Sequence, residues 1–131
     1  MELTPGERRA LLKLQQTRTD AALTYRALAI AAKDAADTAL FRALSEEEAR
    51  HASVLQGLTG EGTVPNRRQA ARITGFGRVF GRERLYRLLI RDENRAAARF
   101  RQLSARFPAL KALAEDAKRH GQEIAALPGV R

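Results

Sequence analysis

Glu48 and His51 stand three residues apart, the spacing that puts a carboxylate and an imidazole on one face of a helix. With Glu93 and His120 they offer two nitrogen and two carboxylate donors, a set suited to one Zn²⁺, Mn²⁺ or Fe²⁺ ion. Each residue taken alone has a plainer reading. A glutamate can run out to solvent, and a lone histidine on an apolar face is more often a satisfied core residue than a ligand. Other catalytic equipment is missing. The chain has no Cys, which excludes a disulfide scaffold, a thiolate zinc site, an iron–sulfur cluster and a catalytic thiol. It has no Gly-x-Ser-x-Gly and no Walker loop, and Gly75-Phe76-Gly77 lacks a preceding strand and a third glycine. With both histidines already placed, a Ser–His–Asp triad has no base. No small-molecule substrate is identified.

What makes these residues informative is the apolar seams they interrupt. The pattern reads as helix nearly throughout, rich in Ala, Leu, Arg and Glu and poor in β-branched residues. Thr4-Pro5-Gly6-Glu7 is a capping box with Pro at the first helical position, so a helix starts there and runs to about Lys33. Its seam is Leu11, Leu14, Arg18, Ala21, Tyr25, Leu28 and Ala32. Asp34 or Asp37 caps a second helix, with the seam Phe41, Leu44, Glu48, His51 and Leu55, which Gly57 and Gly60 stop after about Gln56. A turn-rich linker covers 59–66, and a short helix over 67–80 is loosened by Gly75, Gly77 and Gly81. A helix over about 82–106 carries Tyr86, Leu89, Glu93, Ala96, Phe100, Leu103 and Phe107 inward. After Phe107-Pro108, a last helix over about 109–126 carries Leu110, Leu113, Ala117, His120, Ile124 and Leu127. Arg18, Glu48, His51, Glu93 and His120 therefore all face inward. A buried charge costs several kcal/mol, so they must pair with one another or with a metal.

The pattern predicts an all-α, up-down four-helix bundle in one domain, 1–131, made of a helix pair 5–57, a linker and short helix 58–81, and a helix pair 82–127. The two pairs repeat one another. Arg18 and Tyr25 are seven apart, as are Glu93 and Phe100; Glu48 and His51 are three apart, as are Ala117 and His120. This arrangement resembles the ferritin-like superfamily, in which two helices each give a Glu and two each give Glu-x-x-His to a pair of irons. It is most similar to the rubrerythrin-like domains that precede the membrane part of vacuolar-iron-transporter-type proteins. The stretches that carry the resemblance are Tyr25-Arg26-Ala27-Leu28-Ala29, Glu46-Glu47-Glu48-Ala49-Arg50-His51, Leu58-Thr59-Gly60 with Val64-Pro65-Asn66, and Glu115-Asp116-Ala117-Lys118-Arg119-His120. It implies that Glu48, His51, Glu93 and His120 stand at metal-ligand positions. In such relatives a membrane domain follows the position of Leu127, so an excised domain and a stand-alone protein are both open; a homodimer is also implied.

Two of the six ligand positions depart from that pattern: Arg18 and Ala117 stand where Glu is needed. Two Glu and one Arg sum to −1, so two ferrous ions would leave about +3 in a poorly solvated core. Asp20 and Asp116 are no substitutes, because a one-residue shift turns a side chain about 100° off the seam. The primary reading is thus a degenerate site with no cofactor, in which Arg18 bridges Glu48 and Glu93 and an ion pair replaces the metal. The chain is then a binding or regulatory module linked to iron metabolism, and the lost ligands argue against an enzyme. The alternative is a metal-binding protein holding one or two Fe, Mn or Zn ions and handling iron or peroxide. Tyr25 would serve as a radical or hydrogen-bond partner in an active relative, and otherwise packs in the core.

The charge is uneven. The net charge is +9, and between Arg67 and Arg91 there are eight Arg (67, 68, 72, 78, 82, 84, 87 and 91) against one acid, Glu83. Such a stripe is either a solvated Arg-rich surface or a docking face for anionic lipid. Nucleic acid is the weaker reading, since only Phe76, Phe80 and Tyr86 offer stacking faces. No run of apolar residues is long enough to span a bilayer, and the first residues lack the apolar core of a secretion signal. The expected location is cytoplasmic, or at the inner face of a membrane.

Overall fold

The computed structural model describes residues 2–130. Its five helices are α1 (Pro5–Ala31), α2 (Ala35–Thr59), α3 (Arg67–Phe80), α4 (Arg82–Ser104) and α5 (Leu110–Ala125), and there is no strand among the described residues. The protein is all-α. Two compact units divide it, residues 1–74 and 75–131, with the boundary inside α3.

The first unit is built on the α1–α2 hairpin. The Thr4 capping box forms: the Glu7 amide donates to Thr4 Oγ1 at 3.1 Å, and the Thr4 amide donates to Glu7 Oε1 at 2.8 Å. α1 stops at Ala31, two residues short of the expected end, because Ala32 is extended and Asp34 caps the next helix. Of the two capping candidates it is Asp34 that receives the Ala36 amide, at 2.8 Å; Asp37 is buried inside the first turn. α2 runs through Gly57 and ends only at Gly60, whose φ of 73° is the left-handed conformation that glycine adopts without strain. Leu11, Leu14 and Leu28 face Phe41, Leu44 and Leu55 as buried seams, and the Tyr25 ring stacks on Phe41 with centroids 5.8 Å apart. Each such aliphatic or aromatic side chain stabilises the fold by about 1.5–3 kcal/mol on burial.

The linker after α2 is tied to α1 rather than loose. Arg8 donates to the Thr59 carbonyl at 2.9 Å and pairs with Glu61 at 2.7 Å. Gln15 donates to the Glu61 carbonyl, Gln16 to the Val64 carbonyl, and Asp20 accepts the Asn66 amide, all within 2.8 Å. Buried Thr59 closes the set by donating to Gln15 Oε1 at 2.8 Å.

In the second unit α4 and α5 form the other hairpin, joined through Phe107, which is buried. Both expected seams are buried along their length except Leu103, which is half-buried. Two glycines permit close approach. A Cβ on Gly121 would lie 3.2 Å from Asn94 Oδ1 and 3.8 Å from Glu93 Cβ, so α5 sits tight on α4 beside His120. A Cβ on Gly77 would lie 2.6 Å from Leu85 Cδ2, which is buried.

Gly75 and Gly77 of α3 should therefore respond unequally to alanine. Gly75 has open space, and Gly75→Ala should stabilise by about 0.5–1 kcal/mol through backbone entropy. Gly77→Ala should fall short of that gain, because the end of the buried Leu85 side chain must turn away to admit the methyl group. Thermal unfolding of the two variants decides the matter; equal shifts in one direction would contradict it.

Candidate functional site

In the first unit the turn at 32–34 folds α2 back on α1 and brings Arg18 opposite Glu48. Arg18 Nη1 donates to Glu48 Oε2 in a short ion pair. Arg18 is 6% exposed, Glu48 0% and His51 4%, so the pair is out of water. His51 Nδ1 lies 3.1 Å from the other carboxylate oxygen, Glu48 Oε1, one helical turn along α2, without the alignment of a hydrogen bond. Both oxygens of Glu48 thus face a nitrogen. The guanidinium is always charged and its planar fork matches a carboxylate, so this is a well-matched partner for a buried acid.

The second unit holds the matching pair. His120 Nδ1 of α5 and Glu93 Oε2 of α4 are 3.1 Å apart, with exposures of 0% and 1%. Gly121 lies next to this pair, against Asn94 and Glu93 of α4. One turn back on α5, Ala117 is fully buried and carries no donor atom. The position answering to Arg18 is Glu93, and the motif partner is the histidine rather than the glutamate. Each hairpin therefore has one inward charged residue on its first helix bonded to one residue of the motif on its second.

These residues do not fit a two-iron centre. Glu48 would have to give up Arg18 Nη1 to bind a metal through Oε2, and the guanidinium would remain buried beside the incoming cation. Ala117 offers nothing to hold a second ion. The neighbouring acids do not rescue the set. Asp20 accepts from Gln16 and from the linker amide of Asn66, and Asp116 pairs with Arg119 at 3.3 Å on the surface. Tyr25 packs in the core against Phe41.

Of the basic stripe, Arg67, Arg68, Arg72, Arg78, Arg84, Arg87 and Arg91 are exposed, and Arg82 is half-buried over the Tyr86 ring at 4.7 Å. Arg87 pairs with Glu83, and Arg91 Nε lies 3.8 Å from Asp92. Sequence reasoning missed Gln15 and Thr59, which are buried and hold the linker; no seam position marks them, since they lie beside the seam and serve a loop. Compared with models of known families, with curated proteins and with solved structures, the chain matches none.

If Arg18 and Glu48 are a matched buried pair, removing one partner should cost far more than removing both. Arg18→Met should destabilise by about 3–5 kcal/mol, whereas Arg18→Met with Glu48→Met should return to near wild type or above it. Urea unfolding of wild type, both single variants and the double variant gives the coupling directly. A cost below about 1 kcal/mol for Arg18→Met would show a weak, solvent-screened contact instead.

Proposed function

We propose that the chain is a degenerate ferritin-like module, a four-helix bundle of the rubrerythrin-like kind whose metal centre has given way to ion pairs. It serves in binding or regulation near iron metabolism rather than in catalysis. The observation that carries this reading is the Arg18–Glu48 pair, in which a fixed cation stands against the carboxylate of the motif glutamate. The matched hairpins support the lineage: Arg18 and Glu93 hold equivalent places, as do Glu48-x-x-His51 and Ala117-x-x-His120. A duplication of one helix pair would leave this correspondence, and two substitutions then account for the lost chemistry. Each removes a carboxylate, and Arg18 adds a charge of the wrong sign for ferrous iron.

Putting back the carboxylates tests the lineage. Arg18→Glu with Ala117→Glu completes the four glutamates and two histidines of the ferritin-like pattern, and Arg18→Glu leaves Glu48 facing a second acid without a cation. The double variant should be destabilised when metal-free and should regain thermal stability with Fe²⁺ or Mn²⁺, each populated site adding about 2.7 kcal/mol at a hundredfold excess over Kd. Wild type should show no such gain. A double variant that folds and gains nothing from either metal would contradict descent from a two-metal site.

A further inference from the structure

The Arg-rich segment is not absorbed by that reading, and its second half carries a feature that the sequence pattern did not single out. In the second unit, α3 ends at Phe80 and α4 begins at Arg82, with Gly81 at φ 94° making the corner between them. At this corner Val79 is 75% exposed and Phe80 50% exposed, the latter's ring tilted against half-buried Phe76 at 4.7 Å. Around them stand exposed Arg78 and Arg84, with Arg87 one turn further along α4. The one acid in the stretch, Glu83, is already held by Arg87.

The corner is fixed in orientation. Gly77 packs directly on the Leu85 side chain, and the Gly81 amide donates to the Gly77 carbonyl at 2.9 Å. The apolar tip is therefore held outward by the packing behind it. Gly75, one turn before Val79 on the same face of α3, leaves the backbone bare beside it.

We propose that this corner docks on an anionic lipid surface, with Val79 and Phe80 entering the headgroup–acyl boundary and the arginines meeting lipid phosphates and carboxylates. The charge is complementary to such a surface, and the paired exposed apolar side chains are what a bilayer interface rewards. A nucleic-acid backbone would use the arginines equally well, but it offers the aliphatic Val79 no apolar phase to enter, and Phe80 is already packed against Phe76. This inference stands independently of the ferritin-like reading.

The chain has no Trp, so Phe80→Trp places a single fluorescent reporter at the tip. With vesicles of phosphatidylcholine and phosphatidylserine, its emission should shift to the blue and be quenched by lipids brominated in the acyl chain. With phosphatidylcholine alone at the same salt, neither should occur, and added salt should weaken the shift. Val79→Ser with Phe80→Ser should lower vesicle binding about tenfold or more, from the lost apolar burial, at unchanged circular dichroism. Unchanged Trp emission on vesicles that sediment the protein would overturn the proposal. So would failure to bind the anionic vesicles, or serine-variant binding equal to wild type. Binding to a DNA duplex as tight as to vesicles, and indifferent to the serine variant, would assign the stripe to nucleic acid instead.

Discussion

A glutamate with no solvent access must be answered inside the protein, and Glu48 is answered by Arg18. Much of the first unit follows from that constraint. The two side chains meet in one register of α1 against α2; a slip of one turn, about 5.4 Å, would bury both without partners. The Tyr25–Phe41 stack further along the hairpin agrees with the same register. So does the linker, whose hydrogen bonds to Gln15, Gln16 and Asp20 require the C-terminal end of α2 to lie beside the N-terminal half of α1. The pair fixes alignment more than it adds stability, since two apolar residues of similar volume would fill the space at less desolvation cost.

Among the described residues Arg18 is the one buried arginine or lysine. The other described arginines are exposed, apart from half-buried Arg82 over the Tyr86 ring. That contrast matters for function. A cation kept in the core against its hydration has a specific partner, whereas the exposed arginines of α3 and the start of α4 form a field open to whatever anionic surface approaches. The protein thus uses one residue type in two ways, as an internal counter-charge and as an external one.

The helices and their inward faces are legible in the sequence because the apolar spacing of 3–4 is a direct consequence of helix geometry. All the inward positions of α2 and α5 that the pattern marked are buried, the polar Glu48, His51 and His120 among them. The capping box was legible because its residues bond one another locally. Helix ends were less so. Gly57 looked like a stop but lies within α2, since glycine tolerates helix and only the left-handed turn at Gly60 ends it. The Gln15–Thr59 bond and the Gly77–Leu85 and Gly121–Asn94 approaches were not legible, because each depends on a partner from another element that no local pattern names. The exposed Val79 and Phe80 are a case of the same kind, since periodicity shows what prefers burial and not what is left outside.

The account turns on whether Arg18 has taken the place of metal. Anaerobic titration of the purified protein with Fe²⁺, with bound iron counted per chain by elemental analysis after desalting, tests this most directly. The account predicts a count near zero at every loading. One or two irons retained per chain would mean that Glu48 leaves Arg18 for the metal and that a working centre survives, which would contradict it.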